Sequence, residues 1–164
     1  MTLRLILMRH AKSDWSLDGG DHERPLNPRG RRAATVLGQW LVQSGYSPDT
    51  AVVSDAVRTR QTWELLKLDA TVRFERDLYL ADPRVMFETL QACDPASVLI
   101  IGHNPGIAEF SRNMLADVPA HNRFDDYPTG ATLIADFAID SWSEVSQETG
   151  RAVDFIVPRD LIAS

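Results

Sequence analysis

Two histidines in this sequence stand at the ends of short apolar runs. His10 follows Leu3-Arg4-Leu5-Ile6-Leu7-Met8-Arg9, and His103 follows Ser97-Val98-Leu99-Ile100-Ile101-Gly102. A third apolar run, Ala51-Val52-Val53, leads into Ser54-Asp55-Ala56-Val57-Arg58. Paired histidines and arginines with no obvious metal partner suit the transfer of a phosphoryl group. Arginine's planar fork matches phosphate oxygens bidentately and keeps its charge at any working pH. Histidine can accept the group covalently, which divides one difficult step into two easier ones.

The elements that must position these side chains can be read from the pattern around them. Apolar runs of this length, bounded by charge, predict strands buried on both faces, which belong to parallel sheets flanked by helices. Ligands of such sheets bind beyond the carboxyl ends of the strands, so Arg9, His10, Arg58 and His103 are predicted to converge in one crevice. Asn27-Pro28 reads as a helix cap followed by proline in the first helical position, before Ala33, Ala34, Leu37, Trp40 and Leu41 at helical spacing. Asp82-Pro83 repeats that signature, and Ser54 or Asp55 is the expected cap of a helix running through Trp63, Leu65 and Leu66.

Lys12 to Arg24, with Asp18-Gly19-Gly20-Asp21, reads as a loop over the first strand end, pinned by Trp15 and Leu17. Strand and helix alternate to the end of the chain, so the predicted class is α/β: a mostly parallel central sheet with helices on both faces, mixed if the last strands pair antiparallel. Residues 1–164 are expected to form a single domain.

A net charge of -6 over 164 residues argues against a nucleic-acid or anionic-membrane binder with a basic surface, yet leaves room for a small cationic pocket. The single cysteine, Cys93, cannot form an intramolecular disulfide and leans towards a reducing compartment. No stretch approaches a membrane span, and the N-terminal run is unlike a signal peptide. The expectation is a cytoplasmic protein with no membrane or nucleic-acid partner; oligomeric state is not written in the sequence.

Several stretches together resemble the histidine phosphatase superfamily: Met8-Arg9-His10-Ala11-Lys12-Ser13, Arg24-Pro25-Leu26, Ser54 to Thr62, Gly102-His103-Asn104-Pro105-Gly106 and Pro128-Thr129-Gly130. More narrowly, the chain is similar to its compact SixA-type phosphohistidine phosphatase branch. The resemblance implies a three-layer, phosphoglycerate mutase-like fold. It implies His10 as the nucleophile that becomes phosphorylated, Arg9, Arg58 and His103 as the groups that bind the phosphoryl oxygens, and no metal or other cofactor. Lys12, Ser13, Asn104 and Thr129 are expected on the substrate side. Loop closure for Lys12 and Ser13, and a tight turn for Thr129, are their plainer roles. The small residues Gly102 and Gly106 would let backbone and ligand approach closely.

Larger relatives such as phosphoglycerate mutases carry a carboxylate after the third strand as general acid. The residue that aligns with it here is Leu80. An alkoxide leaving group needs a proton, whereas imidazole, with a conjugate-acid pKa of about 6.5, leaves without a strong acid. The expected substrate is therefore a phosphorylated protein or peptide bearing phosphohistidine. A small-molecule phosphomonoesterase, with Asp82 or a residue of the Lys12 to Arg24 loop as acid, is the alternative. A non-enzymatic phosphoprotein-binding module would have no use for the nucleophile, and a metallohydrolase is disfavoured by Arg9 beside His10.

Overall fold

The computed structural model describes residues 1–162; residues 163 and 164, the end of the expected single-domain span, lie outside the described residues. Six strands, β1 (Leu3–Arg9), β2 (Thr50–Ser54), β3 (Thr71–Glu75), β4 (Ser97–Gly102), β5 (Thr132–Phe137) and β6 (Arg151–Ile156), form one sheet in the order β3-β2-β4-β1-β5-β6. The helices are α1 (Pro28–Gln43), α2 (Val57–Leu66), α3 (Pro83–Gln91), α4 (Gly106–Met114) and the short α5 (Pro158–Leu161). Strands β3, β2, β4 and β1 run parallel; β5 and β6 run antiparallel to their neighbours, which makes the sheet mixed.

The side-chain alternation of β1 builds the layers. Leu3, Leu5 and Leu7 enter the core beneath α3 and α4 with Met86, Leu90, Ile107 and Phe110, while Ile6 and Met8 pack on the other face with Leu37, Leu41, Trp63 and Leu66. Each such buried side chain contributes about 1.5–3 kcal/mol relative to exposure. The result is the three-layer arrangement, with β1 and β4 at its centre. Among the described residues no helix is long and apolar enough to cross a membrane.

Local signals work as the sequence predicts at two helix starts. The Asn27 side chain accepts from the Gly30 amide at 2.8 Å, and that of Asp82 from the Val85 amide at 3.2 Å, each with proline in the first turn. Helix α2 departs from expectation. Its capping position is Ala56, with no side-chain cap, so neither Ser54 nor Asp55 has that role. Both have other partners: Ser54 faces His103, and Asp55 holds His22 at 2.7 Å.

The loop after β1 also corrects an expectation. Trp15 and Leu17 do not pin it, being 78% and 58% exposed. Polar bonds across the base of the loop hold it instead: Asp14 N to Pro25 O at 2.8 Å, Asn27 N to Lys12 O at 3.0 Å, and Arg24 to the Ser13 hydroxyl at 2.6 Å. Gly30 of α1 seats the loop, because a Cβ there would lie 2.0 Å from the Lys12 carbonyl oxygen. These bonds release the indole of Trp15 to lie against the Arg24 guanidinium, 3.5 Å from the ring centroid.

Candidate active site

The register of the two central strands places the histidines side by side. Arg9 of β1 is opposite Gly102 of β4, so His10 and His103 emerge together at adjacent carboxyl ends, with the His10 amide donating to the Gly102 carbonyl at 3.1 Å. Their ring centroids are 5.3 Å apart. Arg58, one residue into α2, reaches between them from the next strand end. These side chains line a cavity of about 300 Å³ together with Arg9, Lys12, Ser13, Trp15, Asp21, Arg24, Leu80, Asn104 and Thr129.

The hydrogen bonds determine which ring nitrogen is free. His10 Nδ1 lies 2.7 Å from the Ala11 carbonyl oxygen, which can only accept, so Nδ1 carries the proton and Nε2 keeps its lone pair. Arg58 Nε donates to that lone pair at 3.4 Å, a long bond that an entering oxygen can displace. In the same way Arg58 Nη2 can only donate to His103 Nδ1, at 3.3 Å, so the His103 proton is on Nε2, which donates to Ser54 Oγ at 2.7 Å.

Burial sets the charge of both rings. His10 is 4% exposed, and its pKa lies well below the ordinary value, chiefly because an imidazolium there would be desolvated; the bond to Ala11 opposes this, and His103, Arg9 and Arg58 add smaller repulsions in the same direction as burial. His103 is pushed down to about 3 by burial and then by Arg58. Both are therefore neutral at pH 7. Arg9 and Arg58 depress His10, but loss of water is the larger cause.

Arg58 is 2% exposed and fixed from outside by a residue the sequence did not single out. The Asp21 carbonyl accepts from Nη1 at 2.6 Å and its carboxylate from Nη2 at 3.0 Å. The same carboxylate accepts from Arg24 at 2.7 Å and from the Tyr79 hydroxyl. Its pKa is lowered to about 2, most by the Tyr79 bond and then by Arg58. The signal that could have found Asp21 is weak: an acidic residue beside Gly19-Gly20 in a loop over a strand end. Ser54, Arg24 and Tyr79 were likewise legible only once the fold joined four separate segments.

The remaining sequence candidates divide. Arg9 lines the cavity, with one nitrogen 3.3 Å from the Tyr127 carbonyl oxygen and a buried Nε without a partner among the described residues. Lys12 and Thr129 line it too. The Ser13 hydroxyl accepts from Arg24, so it closes the loop as well as lining the wall. Asn104 directs its amide nitrogen to the carbonyls of Asp126 and Tyr127, at 3.0 and 2.9 Å, which ties down the neighbouring loop. Gly106 is small for packing, since a Cβ there would lie 1.9 Å from the Ala81 carbonyl oxygen; that close approach brings Leu80 to the cavity. Asp82 does not line the cavity and caps α3.

Residues 5–82 match the model of the histidine phosphatase superfamily (branch 1). An uncharacterised protein of Mycobacterium tuberculosis is 31% identical over 159 residues, covering 93% of this chain and 100% of that protein. The chain belongs to the histidine phosphatase superfamily. A candidate phosphohistidine phosphatase SixA from Nakamurella multipartitia superposes with a TM-score of 0.85 at 29% identity, over 96% of this chain and 97% of that one. A like-named protein from Agrobacterium tumefaciens gives 0.77 at 25% identity, over 95% and 98%. The phosphoglycerate mutase-like architecture is thus shared from end to end, and this histidine phosphatase is SixA-like and a phosphoryl hydrolase.

Proposed function

We propose that this enzyme removes the phosphoryl group from a phosphohistidine side chain of a protein, through a covalent intermediate on His10 and without a metal. The lone pair of His10 Nε2 attacks phosphorus as the phosphorus–nitrogen bond of the substrate breaks. The imidazole leaves as a neutral ring because its other nitrogen has already taken a proton from solvent water. A second water then attacks the phosphorus of phosphorylated His10, releases inorganic phosphate after losing a proton, and restores the neutral ring.

Arg58 and Arg9 neutralise the phosphoryl oxygens and hold them in line, which is most of what such a transfer asks of a protein. Arg58 exchanges its long bond to His10 Nε2 for one to an incoming oxygen. A phosphoryl dianion beside His103 favours the imidazolium, which can then donate from Nδ1. Two arginines beside the histidines oppose a bound cation, in keeping with a metal-free reaction. Lys12 and Thr129 are placed to meet the substrate beyond the phosphoryl group.

The observation that carries the choice of leaving group is Leu80. It is 54% exposed on the cavity wall where larger relatives would present a carboxylate. Asp21, the acid in the cavity lining, is ionised at neutral pH and engaged by two arginines, so it has no proton to give. A leaving group that needs little protonation fits this site. The test is kcat/KM on a phosphohistidine peptide against that on a set of sugar phosphates. Higher values on the peptide support the reading; equal or higher values on the sugar phosphates replace it with a small-molecule phosphomonoesterase.

A further inference from the structure

A second groove, of about 430 Å³, adjoins the catalytic cavity and shares Lys12 and Thr129 with it. Its charged lining is entirely cationic: Lys12, Arg29, Arg32, Arg123 and Arg159. Among the described residues only Arg123 of these five has an acidic partner, Asp126. The whole chain carries a net charge of -6, so this concentration of unpaired cations is local and opposite in sign to the rest of the molecule.

The placement of the arginines also runs against the preference of the helix that bears them. The first turn of α1 contains no acidic residue, and Arg29 and Arg31 occupy it with Arg32 directly after. The positive end of a helix dipole favours Asp or Glu there. Local rules broken at one place in a fold mark positions held for another purpose. The cations come from four separate parts of the chain, the loop after β1, the start of α1, the loop bearing Arg123 and the start of α5, so no single amphipathic pattern accounts for them.

We infer that this groove docks an acidic surface of the phosphorylated partner protein, beside the histidine whose phosphoryl group enters the cavity. The inference rests on the proposed protein phosphohistidine substrate and adds the charge of its surroundings. Four unpaired cations spread along a groove exceed what one further phosphate needs. The lining of the catalytic cavity also includes exposed Trp15 and Leu80, indole and aliphatic surface of the kind a folded protein covers. Acidic carboxylates in the groove and apolar contact with Trp15 and Leu80 would orient the partner around the catalytic cavity. The negative remainder of the chain would repel an acidic partner elsewhere and so help steer it to this face.

The test compares the full chain with its R32E/R159E variant, neither position touching the catalytic cavity. An unphosphorylated glutamate-rich peptide carrying a fluorophore reports binding by anisotropy, and free phosphohistidine reports the chemistry. The wild type should bind the peptide with an affinity that falls as salt rises, and the variant should bind it about ten-fold or more weakly. Turnover of free phosphohistidine should be unchanged, while kcat/KM on a glutamate-flanked phosphohistidine peptide falls in step with binding. The milder R32Q/R159Q pair should give the same direction of change, which separates charge from damage to the fold.

Equal binding of glutamate-rich and uncharged peptides by the wild type would overturn the inference. So would equal loss of turnover on free and peptide-borne phosphohistidine in both variants, or tighter binding of an oligonucleotide of the same charge. Peptide binding that depends on Arg32 and Arg159 in a protein unable to hydrolyse phosphohistidine would instead support the groove and refute the proposed substrate.

Discussion

His10 donates from Nδ1 to the main-chain carbonyl of Ala11 at 2.7 Å, a contact between adjacent residues that leaves Nε2 as the only ring nitrogen with a lone pair facing the cavity. A backbone acceptor cannot ionise or rotate away. The orientation of the ring is therefore set by the main chain at the end of β1, and its neutrality by burial.

That arrangement predicts the acid side of the pH profile. The proposed mechanism requires neutral His10, whose pKa is lowered well below 6.5, so protonation should reduce kcat/KM only well below the pH at which an ordinary histidine titrates. Initial rates measured from pH 8 downward should hold through 6.5, as far as this group is concerned, and then fall. A fall centred at 6.5 or above would contradict the assignment.

The same histidines tie stability to pH. Both bind a proton more readily in the unfolded chain, so stability should decline as pH drops below about 6.5 through the folded values, with a slope of up to about 1.4 kcal/mol per pH unit for each. For His103 the window runs down to about 3. Urea unfolding at successive pH values should show a shallower decline in His103→Asn than in the wild type; identical slopes would mean that His103 is not held neutral.

Asp21 should act on catalysis by holding Arg58. Asp21→Asn retains an acceptor but loses the charge, so Arg58 loosens while the cavity becomes more attractive to an anion. The expected result is a fall in kcat of about ten-fold, with no loss of affinity for inorganic phosphate as a competitive inhibitor, and an alkaline side of the profile that does not move. A displaced alkaline limb would show instead that Asp21 supplies a proton. Arg58→Ala should be more severe, about 100-fold or more in kcat, because it removes the donor itself.

Leu80 offers the converse experiment, a gain. Leu80→Asp places a carboxyl at the cavity wall at a residue with φ of 51°, a left-handed conformation that Asp tolerates better than Leu. The ratio of phosphomonoester to phosphohistidine turnover should rise in this variant. An unchanged or lower ratio would show that the absence of an acid at this position does not set the choice of leaving group.

Much of this site was legible because its parts stand at strand ends. Apolar runs stopping at His10, Ser54 and His103 identify buried parallel strands, and parallel strands deliver their carboxyl ends to one edge of the sheet. The caps at Asn27 and Asp82 were legible for a similar reason, since their signals lie within four residues. Asp21 and Tyr79 were not, because Asp21 depends on a long-range meeting with Arg58, and Tyr79 on one with Asp21, that no local spacing records. Trp15 misled by its composition: an indole in a polar loop suggests an anchor, but the backbone bonds across the loop base and the Arg24 guanidinium left it exposed at the cavity mouth. Ser54 misled in the opposite way, because a good helix cap was used to orient a histidine.

In the proposed mechanism His10 Nε2 carries the phosphoryl group during turnover. The most direct measurement is rapid acid-free quenching of the enzyme during reaction with a radiolabelled phosphohistidine substrate, followed by peptide mapping. The expected result is an alkali-stable, acid-labile label on His10 that forms and decays at rates compatible with kcat and is absent from His10→Ala. Full turnover with no label on His10, or phosphate release undiminished in His10→Ala, would contradict it.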